Sequence, residues 1–484
     1  RGRVTQESRV INGTGGGTFV TQWGYDSADR PMWQKYPGGN GGQVGEQVSF
    51  TYTAQGLLNT VIGSATYVGG ADYNALGQVT QRRLGSTTGI VKQSYTYTAA
   101  ENFRLVTSKA GNADPYTNLQ NISYTYDDVG NVLTIADAAA YGGSQTQKFT
   151  YDTLNRLSTA CTLSGGSCAI SDGSYGSYSQ RSYAFDNAGN LTTWSGVAFT
   201  YQNAAHKHAL THVGGVQKYW YDANGNATRR ISGSQDVTLT YDAENRLTAM
   251  SGGVTSSYVY DGDGNRVKET IGGVTRVFVG NTYEVDNGTV KKYYYAGNVR
   301  VAERSGGVLY FLLSDHLGST ALTLDSSGNR LNTNTELRYY PWGGGRHVVG
   351  TTPTSFNFTG QRKDGGSGLL FYNTRWYDPT VGRFIQADTI VSNPGDPQNL
   401  NRYAYAANNP LRFVDPSGHR ECEDADCRKT WPARPPNPNV LIVTPLDTGY
   451  GLSANQIDIY MGIDFEQPDW IWGSNAHPQA YIVP

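Results

Sequence analysis

The sequence predicts an all-β protein built from repeated hairpins, on three observations. A core of aromatic-x-Tyr-Asp recurs, followed by a short polar turn, Gly-Asn or Asn-Arg, and then an apolar residue. In the clearest run, Tyr201, Tyr221, Tyr241 and Tyr260 follow one another at 19 or 20 residues. The composition agrees: Gly 60 and Tyr 35 against Met 3 in 484 residues favours strands and tight turns over helices.

Each unit can be read physically. In Tyr258-Val259-Tyr260-Asp261 the two tyrosines share one face of a strand, because side chains alternate with period two. Asp261 then opens a turn, where its carboxylate can bond nearby N–H groups. Gly264-Asn265 supplies the left-handed backbone that closes it, and a second strand starts at Arg266-Val267. The same pattern runs from Tyr124 to Thr134, Phe149 to Leu157, Tyr183 to Leu191, Tyr219 to Asn226 and Leu239 to Thr248. Degenerate copies lie at Tyr25-Asp26 and from Tyr52 to Leu57. A single hairpin cannot bury its apolar face, so neighbours must extend one continuous antiparallel sheet. Rows of Tyr and Asp could also bind sugars, but their recurrence in every unit favours packing and turn capping.

Charge excludes some functions. Only 16% of residues are charged and the formal net charge is −2, so no basic patch for nucleic acid and no polybasic membrane anchor is expected. No run of 18 apolar residues exists to cross a membrane as a helix. The chain opens at Arg1 without a signal peptide and reads as a piece of a longer precursor. The four cysteines form two local pairs, Cys161/Cys168 and Cys422/Cys427. They read either as two loop disulfides from an oxidising compartment or as unrelated small residues.

From Tyr310 onward other motifs take over. Asp315-His316-Leu317-Gly318-Ser319-Thr320 is followed by Tyr340-Pro341-Trp342-Gly343 and Phe358-Thr359-Gly360-Gln361-Arg362. Then come Leu370-Phe371-Tyr372-Asn373, Arg375-Trp376-Tyr377-Asp378-Pro379, Gly382-Arg383-Phe384 and Asp388. Asn401-Arg402-Tyr403, Asn408-Asn409-Pro410 and Asp415-Pro416-Ser417-Gly418 end the run. No metal or other cofactor is expected. His316 stands apart from other ligands and reads as a turn residue. His206, His208 and His212 would share a strand face but fall in a degenerate repeat.

The repeats and the later motifs together resemble the RHS/YD-repeat family over about residues 20 to 418, the later run being similar to the RHS-repeat-associated core. That family includes bacterial RHS toxins, C components of insecticidal toxin complexes, wall-associated repeat proteins and teneurins. The resemblance implies a β-strip spiralling into a hollow shell closed by the core. It divides the chain into a repeat array (1–309), the core (310–419), an acidic then Pro-rich linker (420–439) and a variable C-terminal segment (440–484). It also implies a scaffold, secreted or at the cell surface, that encloses or presents that segment. The alternatives are an adhesive protein binding carbohydrate or a cell-surface protein, and a self-cleaving peptidase.

For cleavage, the resemblance points to Asp388 and Asp415 as a carboxylate pair, with Arg375 and Arg383 in support and the cut after His419. Two adjacent carboxylates cannot both ionise freely, so one can hold a proton while the other activates water. This chain departs from the pattern. Thr389-Ile390-Val391 replaces Pro-x-Gly after Asp388, His419 stands where Leu is usual, and Ser392 to Gln398 is extra. The expectation is therefore that both aspartates cap turns and cleavage is weak or absent. In the tail, Val440 to Val443 and Trp470 to Trp472 are apolar, so the tail is expected to lie against the array's inner surface.

Overall fold

The computed structural model describes residues 3–331, 336–348, 350–391, 395, 397–423, and the backbone of 441–442 and 480–481. The chain divides into two compact units, 1–426 and 427–484. In the second, Leu441–Ile442 pairs in parallel with Ala480–Tyr481. The expectations for the linker, the tryptophans and the placement of the tail lie outside the described residues.

Within the first unit the described residues hold no α-helix, only short 3-10 turns between strands. One sheet of 19 strands runs from Gln6–Ile11 to Val216–Gln217, and one of 12 from Tyr219–Tyr221 to Thr320–Leu324. Strands pair antiparallel with their sequence neighbours, apart from the short side hairpin of Ser167–Cys168 beside Leu157–Ser164. The strip is not continuous as expected: the ladder breaks at Lys218. There the amides of Lys218 and Tyr219 both converge on the carbonyl of Thr211, at 2.8 and 3.2 Å. One acceptor serving two donors leaves no regular register to propagate through this degenerate repeat. The Cys161–Cys168 disulfide forms with Cα atoms 5.6 Å apart. Cys422 is also disulfide-bonded, and its expected partner Cys427 lies outside the described residues.

The turn chemistry explains the repeat. Asp152 donates its amide to the Arg156 carbonyl (2.9 Å), and its Oδ1 accepts the amides of Leu154 (2.9 Å) and Arg156 (3.0 Å). Arg156 Nε returns to Asp152 Oδ2 at 2.7 Å. The fourth residue of this loop, Asn155, has φ +61°, a conformation that Gly or Asn tolerates best. The same circuit closes at Asp186/Asn190, Asp222/Asn226 and Asp242/Arg246. Asn and Arg are therefore equivalent at this position because each donates back to the same carboxylate.

Tyrosine does a second job. At Tyr126, Tyr151, Tyr221 and Tyr260 a bulge precedes the ring. Their hydroxyls donate to the backbone carbonyls of Leu105 (2.6 Å), Val132, Leu210 and Leu247 (each 2.8 Å). Each latch ties one hairpin to its predecessor. The partly buried Tyr lies on the same face as the buried aromatic two residues before it, as in Tyr258 and Tyr260.

Two apolar cores hold the unit. In one, Phe19, Tyr36, Val48, Val61 and Tyr67 from the first hairpins meet Tyr283, Tyr294, Val301, Phe311 and Leu324 from the last. Tyr67 stacks on Tyr294 with ring centroids 3.6 Å apart. Glu46 crosses the same contact: its Oε1 accepts the Tyr67 hydroxyl (2.5 Å) and its Oε2 the Tyr294 hydroxyl (2.8 Å). Burial alone would raise this carboxyl, but bonds from Tyr67, Ser64 and Tyr294 outweigh it and hold it at about 2. In the other, Phe149, Leu191, Tyr219, Leu239 and Tyr258 of the repeats close around Trp342, Phe358, Trp376, Phe384 and Tyr405. The repeat strip thus curls round the core motifs, which fill its inner side.

Candidate functional site: the carboxylate cluster of the core

A four-stranded sheet of Arg362–Lys363, Leu370–Tyr372, Arg375–Asp378 and Arg383–Phe384 forms the floor of the core. From its third strand Arg375 points into a cluster that includes both expected aspartates. Its Nη2 lies 2.9 Å from Asp388 Oδ2 and 3.1 Å from Asp415 Oδ2, all three side chains being buried. Its Nη1 donates to the Arg402 carbonyl at 2.9 Å, and its Nε to the carbonyl of Gly418. Phe384 lies under the guanidinium, 3.7 Å from its carbon to the ring centre. Burial pulls the Arg375 pKa down, opposed by Asp388 and Asp415.

The segment after Asp415 is gripped at successive carbonyls by three consecutive side chains. Asn373 Nδ2 donates to Pro416 O (2.8 Å), Thr374 Oγ1 to Ser417 O (2.9 Å), and Arg375 Nε to Gly418 O. Asp415 Oδ1 accepts the amides of Gly418 and Arg420, each at 2.9 Å. Gly418 is required here. It has φ +81°, and a Cβ on it would fall 2.2 Å from the Tyr372 carbonyl oxygen.

Asp388 is held by its own amide on Arg402 O (2.9 Å) and by Ile390 N–H on its Oδ1 (2.9 Å). The ring of His419 approaches the same Oδ1, with Nδ1 at 2.7 Å. A polar crevice of about 30 Å³ opens between Arg375, Asp388, Asn401, Arg402, Asp415 and His419, room for a water or two.

Arg383 does not join this cluster, contrary to expectation. Strand pairing sets it opposite Asp378, and its buried guanidinium faces the Gly189 carbonyl at 3.4 Å. His316 sits in a turn of the repeat type, its Nε2 3.1 Å from Leu411 O and its ring against Tyr124. Burial pulls its pKa down. His206, His208 and His212 turn to three separate partners, Ala223 O, Asn190 Oδ1 and Thr211 Oγ1.

Sequence reasoning missed the polar joints between core and repeats. Arg230 and Tyr219 of the repeats converge on buried Asp378, Arg362 pairs with buried Glu284, and Tyr258 donates to Asp364 at 2.6 Å. Asn409 of the core donates to Asn131 Oδ1 at 2.7 Å, and Asn401 to Asn190 Oδ1 at 3.1 Å. The available signal was the Asn that closes repeat turns, matched by the Asn-rich 401–409 motif.

Glu303 is a further buried carboxyl, and neither of its oxygens has a hydrogen-bond partner among the described residues. Burial, countered by Lys291 and reinforced by Glu284, pushes it from an ordinary 4.5 up to about 7. The folded state therefore prefers the protonated form. Its stabilising contribution is full below about pH 4.5 and is lost as pH rises towards 7, a span of about 3 kcal/mol as an order of magnitude. Glu303→Gln should melt higher than the parent at pH 8 and alike at pH 4. Equal melting temperatures at pH 8 would refute this.

Residues 274–411 match the teneurin YD-shell family. Over those residues the chain is similar to a YD-repeat shell. It is 31% identical over 258 residues to the tRNA3(Ser)-specific nuclease WapA of Bacillus spizizenii, covering 49% of this chain and 11% of that protein. It is 27% identical over 425 residues to toxin subunit YenC1 of Yersinia entomophaga, covering 72% and 42%. A double-stranded DNA deaminase toxin of Burkholderia cenocepacia matches at 27% over 349 residues, covering 61% and 22%. The chain thus spans less than half the length of each of these relatives. Among solved structures, TcdB2–TccC3–Cdc42 superposes with a TM-score of 0.67 at 22% identity, over 83% of this chain and 22% of that one. This likeness establishes the fold: an antiparallel strip closed by its core.

Proposed function

We propose that this chain is the shell and core of an exported RHS-type protein, and that it encloses or presents the variable segment 440–484 behind the linker 420–439. The grip of Asn373, Thr374 and Arg375 on residues 416–418 carries this reading. The repeat fold ends by fastening the chain just before its composition changes. The relatives add support: one is named a tRNA nuclease and another a DNA deaminase, yet both resemble this chain. Similarity shared by proteins with such different activities fits a common scaffold better than a common active site. The disulfide at Cys161–Cys168 and the oxidised Cys422 support an oxidising, extracellular destination. The adhesive alternative draws no support from the tyrosine rows, because the latch hydroxyls of Tyr126, Tyr151, Tyr221 and Tyr260 are spent on backbone carbonyls.

Limited proteolysis of the native full chain tests the proposal. The expected result is that residues 440–484 survive as long as the repeats and are cut at once after denaturation. Rapid loss of the tail from intact repeats would overturn enclosure and show a segment presented outside the shell. A second reading, self-cleavage, is favoured by one observation. The amide of the His419–Arg420 bond is held on Asp415 Oδ1, beside Asp388.

A further inference from the structure

The carboxylate pair is fully engaged. Asp388 Oδ1 takes Ile390 N–H and the His419 ring, while its Oδ2 takes Arg375. Asp415 Oδ1 takes the amides of Gly418 and Arg420, while its Oδ2 also takes Arg375. The His419 ring nitrogen Nδ1, at 2.7 Å, takes up a position on Oδ1 of Asp388 that a water would otherwise hold. His419 is also the residue whose carbonyl would be attacked, so the segment to be cut supplies the group that occupies the cutter.

We propose that His419 is an autoinhibitory substrate residue: its contact with Asp388 keeps the 419–420 bond uncut, and removing the imidazole releases hydrolysis. This rests on the self-cleavage reading above. In that reaction a water oxygen bonds to the carbonyl carbon of residue 419 while one carboxylate takes the water's proton. The other carboxyl gives its proton to the nitrogen of Arg420 as the C–N bond breaks. One water is consumed, a carboxylic acid and an amine are left, and the pair again holds one proton. With His419 present, Oδ1 of Asp388 is committed to the imidazole. The crevice beside Asp388 has room for the water that the reaction needs.

The test is intact mass of the full chain over time, with folding checked by circular dichroism. His419→Leu removes the ring nitrogen. His419→Asn places an amide nitrogen where Nδ1 stood and retains the bond to Asp388. The parent and His419→Asn should stay as one species while His419→Leu splits after residue 419, about a hundredfold faster. Adding Asp415→Asn to His419→Leu should restore the single species. Slow, Asp415-dependent cutting of the parent that His419→Leu does not accelerate would overturn the lock and leave self-cleavage standing. A folded His419→Leu chain, and a parent, that never cut would overturn both.

Discussion

Replacing Arg375 with Met should destabilise the repeat-and-core unit by about 3–5 kcal/mol, because it strands two buried carboxylates. Arg375 is the sole cation in ion-pair contact with both Asp388 and Asp415 among the described residues, and its Nε holds Gly418. Methionine keeps most of the packing against Phe384 but offers no donor. The effect should be strongly non-additive. Asp388→Asn and Asp415→Asn in the Arg375→Met background should recover much of the loss, because neutral amides do not need a buried counter-charge. Urea midpoints of the single and triple variants decide it. Additive losses would mean that the three residues act separately and that no charge cluster anchors this end of the core.

Trp376→Ala should have an effect of similar size, about 3–5 kcal/mol, for a different reason. Trp376 is 1% exposed and is where core and repeats meet. Its ring lies 4.9 Å from Tyr258 on a repeat strand and 5.1 Å from Phe371 in the core sheet, with the Arg266 guanidinium 5.3 Å away. Truncation leaves a cavity between layers that strand pairing holds apart, so little collapse can offset it. Both sides should unfold in one transition, since they share a core. Separate melting of repeats and core, or a loss below about 1 kcal/mol, would contradict that coupling.

What was legible in the sequence was local. Asp152, Asn155 and Arg156 form their turn within five residues, so period and residue type suffice to predict it. The Tyr126 hydroxyl is different. Its ring could be placed on a face, but its acceptor, Leu105 O, lies 21 residues back and depends on a bulge that shifts the register. The break at Lys218 was hidden because a degenerate repeat still reads as strand, and only the competition for Thr211 O ends the ladder. Asp388 and Asp415 were found as a pair through a resemblance, and Arg375 joins them. Arg383 does not, because its register opposite Asp378 turns it towards Gly189. The grip of 373–375 on 416–418 spans 43 residues of chain and leaves no periodic trace. His419 could be seen as a departure, while its contact with Asp388 could not.

The repeat-and-core fold ends by clamping residues 415–420. Native-state hydrogen exchange read by mass spectrometry tests it most directly. The amides of Gly418 and Arg420, both bonded to Asp415 Oδ1, should exchange as slowly as that of Trp376, which is bonded to Gln386 in the core sheet. Arg375→Met should release both amides while the turn at Asp152, far along the chain, keeps its protection. Exchange of Gly418 and Arg420 in the parent at the rate of an unstructured peptide would contradict the clamp.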